Sequence, residues 1–270
     1  TVGACLATEA AANAIRGRSQ SSLLDGSAAV TGMILAFSLP PGLPAFMAVV
    51  GGVVAIALGK AVFGGLGQNL FNPAMVGRAF LMACFPVAMT TWTTPAPLAT
   101  VDAVTQATPL AAMKFGSGVV PAVKAMFIGT VGGCVGESSA LLAIVGGLYL
   151  IVRGTASWRQ PVGMLAGAAL FAWLAHWASP ETFKPMSLHL TGGALMFGAF
   201  FIVTDPVGCP LTPWGRLLFG LGAGLLVMVI RSFGGYPEGV MFAVLMMSAL
   251  TPLLERWTMP TPYGGKVVRN

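Results

Sequence analysis

A chain of 270 residues that is 56% hydrophobic and only 8% charged, with a mean hydropathy of +0.84, is not water-soluble, because soluble domains carry about a quarter charged residues. Its 14 basic and 8 acidic side chains leave a net charge of +6, scattered without the basic stripe that a nucleic-acid surface needs. A soluble enzyme and a nucleic-acid reader are both excluded, and the composition describes an all-α polytopic membrane protein whose surface faces lipid or other apolar helices.

The chain begins in a helix-like segment, Thr1 to Ile15, that ends at Arg16 and Arg18. It lacks the basic start and apolar core of a cleavable signal, and its abrupt beginning is expected to follow further N-terminal spans. Ala28 to Leu39 is a short apolar run stopped by Pro40. Pro44 to Val62 and Leu70 to Met89 are the first candidate crossings, judged against about 20 apolar residues per span. Arg78 sits inside the second run; an intramembrane cation is functional by default, the alternative being a snorkelling side chain or one paired with another protein of a complex.

The interval from Thr90 to Gly118 is polar and proline-rich, with Pro95, Pro97 and Pro109 forbidding a continuous helix. Val119 to Val131 reads as a surface or re-entrant segment. Ser138 to Val152 and Val162 to Ala178 are the next candidate spans. His176 and His189 lie near Trp177, Pro180 and Glu181 at a membrane boundary and read as structural. Leu190 to Val203 is again short and ends at Asp205 and Pro206, and Trp214 to Ile230 and Val240 to Leu254 complete the set. Trp92, Trp173, Trp177, Trp214 and Trp257 fit an interfacial belt. Cys5, Cys84, Cys134 and Cys209 form no paired spacing, so no metal site is expected and the thiols read as inert.

An internal repeat is visible. Setting Gly26 beside Gly192 pairs Gly32 with Gly198 and Pro40 with Pro206; after a short gap, Gly52 meets Gly222 and Phe63-Gly64-Gly65 meets Phe233-Gly234-Gly235. The chain is read as a single transmembrane domain spanning 1–270, with repeat one at about 1–135, repeat two at about 136–255 and a tail at about 256–270. The runs starting near 28, 44, 70, 138 and 162 precede the mate near 190. That odd number of crossings inverts the repeats, and inverted repeats with broken helices place a pathway near the midplane. This inverted-repeat helical bundle is similar to urea-transporter architecture.

With the Arg16 and Arg18 loop cytoplasmic, Lys60, Arg153, Arg159, Arg216, Arg256, Lys266 and Arg269 fall on the same side, and Lys114, Lys124, Lys184 and Arg231 on the other. The loop at about 90–122 is then extracytoplasmic, in keeping with the tendency of long loops to carry function.

Within that loop, Val101-Asp102-Ala103-Val104-Thr105-Gln106-Ala107-Thr108-Pro109 resembles the acceptor signature of the bacterial flavin transferase, which joins FMN to a threonine hydroxyl through a phosphoester. Asp102, Thr105, Ala107 and Thr108 match it. The resemblance implies that Thr108 is the acceptor, and Pro109 is expected to keep it out of helical geometry so that its hydroxyl is presented.

Together with this motif, three further runs carry a resemblance: Gly64-Gly65-Leu66-Gly67-Gln68-Asn69-Leu70-Phe71-Asn72-Pro73-Ala74-Met75, Phe200-Phe201-Ile202-Val203-Thr204-Asp205-Pro206, and Arg231-Ser232-Phe233-Gly234-Gly235-Tyr236-Pro237-Glu238-Gly239. They resemble the NqrB/RnfD family, which holds the D component of the Rnf electron-transport complex and the B component of the sodium-pumping NADH:quinone reductase, the Rnf branch more closely. The resemblance implies about ten spans in the complete protein and covalent FMN on Thr108, with a second, non-covalent flavin such as riboflavin as a further expectation. It also implies electron relay coupled to sodium or proton translocation, and residence in the bacterial cytoplasmic (inner) membrane beside the A, B, C, E and G components of the Rnf complex. The protein would be a redox component of a ferredoxin:NAD oxidoreductase rather than a catalyst alone.

Asn69, Asn72, Asp205 and Glu238 are the further candidates, for a second flavin pocket or an ion path; the alternative is that they cap helices. The rival reading of the whole chain is a flavin-free channel or transporter for small polar solutes on a urea-channel-like fold, since architecture alone does not fix function.

Overall fold

The computed structural model describes residues 1–92, 108–116, 121–129 and 131–260. These are helical, without strands. Helices α1 (Val2–Ile15), α2 (Ser27–Ser38) and α3 (Ala45–Ile56, widened into a π-helical turn over Ala57–Ala61) lead to α4 (Pro73–Cys84) and the short α5 (Pro86–Thr90). Two short helices, α6 (Pro109–Phe115) and α7 (Val123–Ile128), precede α8 (Ala140–Val152) and α9 (Arg159–Ala178). Then come α10 (Met186–Thr191), α11 (Leu195–Phe197, continued as a π-helical turn over Gly198–Ile202), α12 (Pro213–Phe233) and α13 (Val240–Thr258).

Side-chain caps and proline fix several of the starts. Asn72, Thr108 and Thr212 each accept a hydrogen bond from the backbone N–H three residues on, and each is followed by a proline at the first helical position. That pairing satisfies one orphan donor and omits another. Ser139 caps α8 in the same way. Gly116 and Gly129 stop α6 and α7 in the left-handed conformation that glycine reaches without a Cβ penalty.

Among the described residues, α9, α12 and α13 are long and apolar enough to cross a membrane. The other candidate runs fold as shorter apolar helices, and Leu70 to Met89 is interrupted: α4 ends at Cys84 and Pro86 starts α5. Proline at 86 lacks the N–H that would continue the helix. The six residues of α7 rise only about 9 Å, so this part of the stretch read as re-entrant does not cross. Exposed Leu142, Val145, Leu148 and Tyr149 give α8 an apolar outer face, as lipid requires.

The closest helix packing joins α9 to α12. Gly163 and Gly167 face Gly220 and Gly224, and a Cβ at any of them would overlap a backbone oxygen of the opposite helix. The four glycines form two small-x-x-x-small ridges, so the helices meet backbone to backbone, which is how association gains energy where lipid supplies no hydrophobic force. Gly51 and Gly77 make a related approach between α3 and α4. The main core lies where α2, α4, α9, α11, α12 and α13 converge, around Leu35, Met75, Leu81, Met164, Phe219 and Met228.

Two cations counted toward the sidedness of the loops are buried instead. Lys60, in the π-helical turn of α3, is 3% exposed and pairs with Glu9 of α1 at 2.7 Å and with the Ser27 hydroxyl at 2.6 Å. Arg231 is 5% exposed in the last turn of α12. A charge leaves water only when it is paired and hydrogen-bonded, so neither counts toward the charge bias of the loops.

Candidate functional site

Thr108 lies at the N-terminus of α6 with φ −61 and ψ 156, the extended geometry that a following proline enforces. Its hydroxyl, expected to stand free of any helical turn, instead accepts a hydrogen bond from the Ala111 N–H at 3.2 Å. Pro109 starts a helix as readily as it prevents one, being favoured at the first helical position. Asp102, Thr105 and Ala107 lie outside the described residues.

Thr108 lines a cavity of about 400 Å³, within the range of small-molecule sites. Its walls come from α4 (Arg78, Met82), from the segment after α5 (Trp92), from α6 (Leu110, Phe115), from α7 (Met126) and from two turns carrying Glu137 and Glu238. The lining is mainly apolar with a few convergent charges, the usual composition of such sites.

Those charges are held differently. Glu238 Oε1 meets Arg231 Nη2 at 3.1 Å, and Oε2 accepts from the Ala194 N–H at 3.0 Å. Arg231 also donates to the carbonyls of His189 at 2.7 Å and Gly192 at 3.1 Å. Burial opposes ionisation of Glu238, but the Arg231 charge and the Ala194 N–H outweigh it and hold its carboxyl below the ordinary range. Gly193, with φ +69, is where a Cβ would overlap Glu238 and Leu110, so glycine is required twice over.

Arg78 is 2% exposed, its Nε has no partner, and its charge acts on both Glu137 and Glu238. Glu137 Oε1 accepts from the Cys134 N–H at 3.0 Å. Lys114, on α6, donates to the carbonyls of Arg231 at 2.9 Å, Tyr236 at 3.0 Å and Gly234, with Ile230 at 3.5 Å. One ammonium thus closes the carbonyl end of α12 and ties α6 to it; burial lowers its pKa.

The four further candidates are not brought together. Asn69, Asn72 and Asp205 share a second cavity of about 300 Å³ with Lys60 and Thr204, whereas Glu238 stands on the Thr108 cavity. Asn72 caps α4, Asp205 accepts from the Val207 N–H at 3.2 Å, and Asn69 donates to the Phe71 carbonyl at 3.1 Å while its own Oδ1 is buried without a partner. Helix α4 runs from one cavity to the other: Asn72 belongs to the second and Arg78 to the first, about 9 Å further along the helix. Sequence reading passed over Glu137 and the Glu9–Lys60 pair. Their signal was present, a carboxylate in a glycine-rich turn before an apolar run and a carboxylate inside an apolar helix. No cluster of potential metal ligands occurs among the described residues, and His176 Nδ1 is engaged with the Phe183 carbonyl at 2.6 Å.

Comparison with known proteins gives the family. The model of the NQR2, RnfD, RnfE family matches residues 1–264. The D subunit of the Na(+)-translocating ferredoxin:NAD(+) oxidoreductase complex of Acetobacterium woodii is 46% identical over 243 residues, 89% of this chain and 73% of that protein. The D subunit of the proton-translocating ferredoxin:NAD(+) oxidoreductase complex of Clostridium ljungdahlii is 43% identical over 254 residues, 90% and 76% respectively. The D subunit of the ion-translocating oxidoreductase complex of Halorhodospira halophila is 42% identical over 294 residues, 98% and 82%. With the family pattern running nearly end to end and relatives of this similarity, the chain belongs to the NQR2, RnfD, RnfE family, on the side of its D subunits.

Proposed function

We propose that the chain is the D subunit of an ion-translocating ferredoxin:NAD oxidoreductase in the bacterial cytoplasmic membrane, carrying FMN on Thr108 and relaying electrons coupled to sodium or proton movement. The observation that carries this reading is that the threonine of the acceptor motif stands on the rim of the cavity bounded by Arg78, Glu137 and Glu238.

The residues fit such a group. Trp92, Leu110, Phe115 and Met126 offer apolar and aromatic surface to a flat ring system, and Arg78 is a buried cation with an unpartnered nitrogen suited to an anionic or electron-rich ligand. A bound flavin supplies the one- and two-electron chemistry, and the protein supplies position and electrostatics. Thr108 would fix the attachment point, Lys114 holds α6 against the carbonyl end of α12, Leu110 packs beside Gly192 and Gly193, and the apolar wall excludes water, strengthening the charges that remain. Asn69, Asn72 and Asp205 on the second cavity are the residues that would hold a non-covalent flavin such as riboflavin, Asn69 offering its unpartnered oxygen. An inverted-repeat, urea-transporter-like architecture with about ten spans in the complete protein, association with the A, B, C, E and G components of the Rnf complex, and an extracytoplasmic loop at about 90–122 belong to the same reading.

The test is flavin fluorescence of the denatured protein band, with and without co-expressed flavin transferase and for Thr108→Ala. Fluorescence that survives denaturation and vanishes in both controls supports the reading; a dark band throughout turns it toward a flavin-free channel. For the topology, Thr94→Cys in a cysteine-free background should label with an impermeant maleimide from outside intact cells, and exclusive labelling from the cytoplasmic side would reverse the orientation.

A further inference from the structure

We propose that Glu137 is the proton-exchanging carboxyl of the Thr108 cavity, so that negative charge arriving on a ligand there is matched by a proton on Glu137 rather than by a metal cation. This rests on the reading of Thr108 as a flavin carrier and goes beyond it by naming the compensating charge and the residue that takes it.

The loop before α8 is built to hold this carboxylate still. Oε1 receives the Cys134 N–H at 3.0 Å, the Gly136 N–H donates to the Phe37 carbonyl at 2.8 Å, and a Cβ at Gly133 would stand 2.7 Å from Oε1, so the carboxylate lies directly over a glycine. It faces the cavity that Thr108 and Arg78 also line.

The other charged groups around the cavity are committed. Arg78 and Arg231 do not deprotonate in proteins. Glu238 is locked to Arg231 by contact and to Ala194 by a hydrogen bond. The Lys114 ammonium is caged by carbonyls. His189 lies beside Arg231, and burial together with that charge holds it neutral, its pKa down to about 4. The Cys134 thiol, on the same loop as Glu137, is kept protonated by burial. Glu137 remains, a carboxylate held by the Cys134 N–H and thiol with no cation in contact among the described residues. Burial, followed by the charge of Glu238, raises its pKa into the neutral range despite Arg78, where a small change in local charge moves its proton.

The step balances simply. A one-electron donor is oxidised as it passes its electron to the ligand in the cavity, and a hydronium ion of the adjoining water breaks one O–H bond and becomes water as its proton forms an O–H bond on the Glu137 carboxylate. The net charge of the cavity is unchanged, and reoxidation releases both.

The experiment uses the flavin-loaded protein, loading being verified first by denaturation-stable fluorescence, and follows the flavin midpoint potential against pH with dithionite as reductant. In the wild type, a tenfold fall in proton concentration should lower the potential by up to about 59 mV. Glu137→Gln should flatten this slope and Glu137→Asp should retain it. An equal slope in wild type and Glu137→Gln overturns the proposal, as does a potential at fixed pH that follows sodium concentration. Should Glu137→Gln fail to fold, infrared difference spectra of the wild type decide: a protonated-carboxyl band gained on reduction supports Glu137, and its absence overturns the assignment. A protein dark after denaturation fails at the first step and removes the flavin reading itself.

Discussion

Arg231 and Glu238, seven residues apart, close the turn between α12 and α13 with a 3.1 Å ion pair on the wall of the Thr108 cavity. The guanidinium is spent on Glu238 and on two carbonyls at the end of α10, so one side chain joins three elements. Arg231→Met should cost on the order of 3 kcal/mol, because it strands a carboxylate where water is scarce. Arg231→Met with Glu238→Met should recover much of that loss. Thermal unfolding of both variants in detergent, followed by tryptophan fluorescence, checks the order.

Lys114 makes a separable prediction. Lys114→Met removes the hydrogen bonds that tie α6 to the carbonyl end of α12 at a partly solvated position, where water can take over the freed carbonyls. The global transition should shift little while α6 comes loose. Chymotrypsin cleavage after Phe115 should be slow in the wild type and fast in the variant; equal rates would show that the lysine does not hold the helix.

The glycines of α12 should separate by what they meet. Gly224→Ala drives a methyl into the Met164 carbonyl oxygen, whereas Gly222→Ala meets the flexible end of Met247. Overpacking against backbone costs about 1–3 kcal/mol or more, and a flexible methionine yields at less. The melting temperature of Gly224→Ala should therefore fall well below that of Gly222→Ala.

Glu137 gives a pH dependence with a definite sign. Its folded pKa is raised, so its contribution to stability is intact below the ordinary glutamate value of 4.5 and is lost as pH rises through about 7. Glu137→Gln, whose amide oxygen still accepts from Cys134, should match the wild type on the acidic side of that window and exceed it on the alkaline side. The difference in melting temperature across the two conditions is the measurement, and a constant difference would count against a raised pKa.

Composition and run length were enough to read a helical membrane protein and to place the long helices, because lipid tolerates little else. The helix entry at Asn72 was likewise written locally; the break at Pro86 was written there too but was passed over, Leu70 to Met89 being read as one run. What sequence could not show was which distant side chains meet. Lys60 and Arg231 were counted toward the sidedness of the loops because nothing local reveals Glu9, 51 positions from Lys60, or the His189 and Gly192 carbonyls that receive Arg231. The candidates Asn69, Asn72, Asp205 and Glu238 were legible as polar groups beside helix breaks, but their division between two cavities follows from α4 passing from one to the other. Glu137 escaped notice because its neighbours are glycines, which carry geometry rather than chemistry.

The backbone-to-backbone seam of α9 and α12 has a mechanical corollary. With four glycines nested against opposing backbone, neither helix can slide or roll past the other without collision, so the pair behaves as a fixed post. Any rearrangement during turnover must fall to the short, interrupted elements around it, chiefly α2, α6, α10 and α11. The latter three carry or adjoin the walls of the Thr108 cavity, so the same seam that denies motion to the long helices concentrates it beside the site.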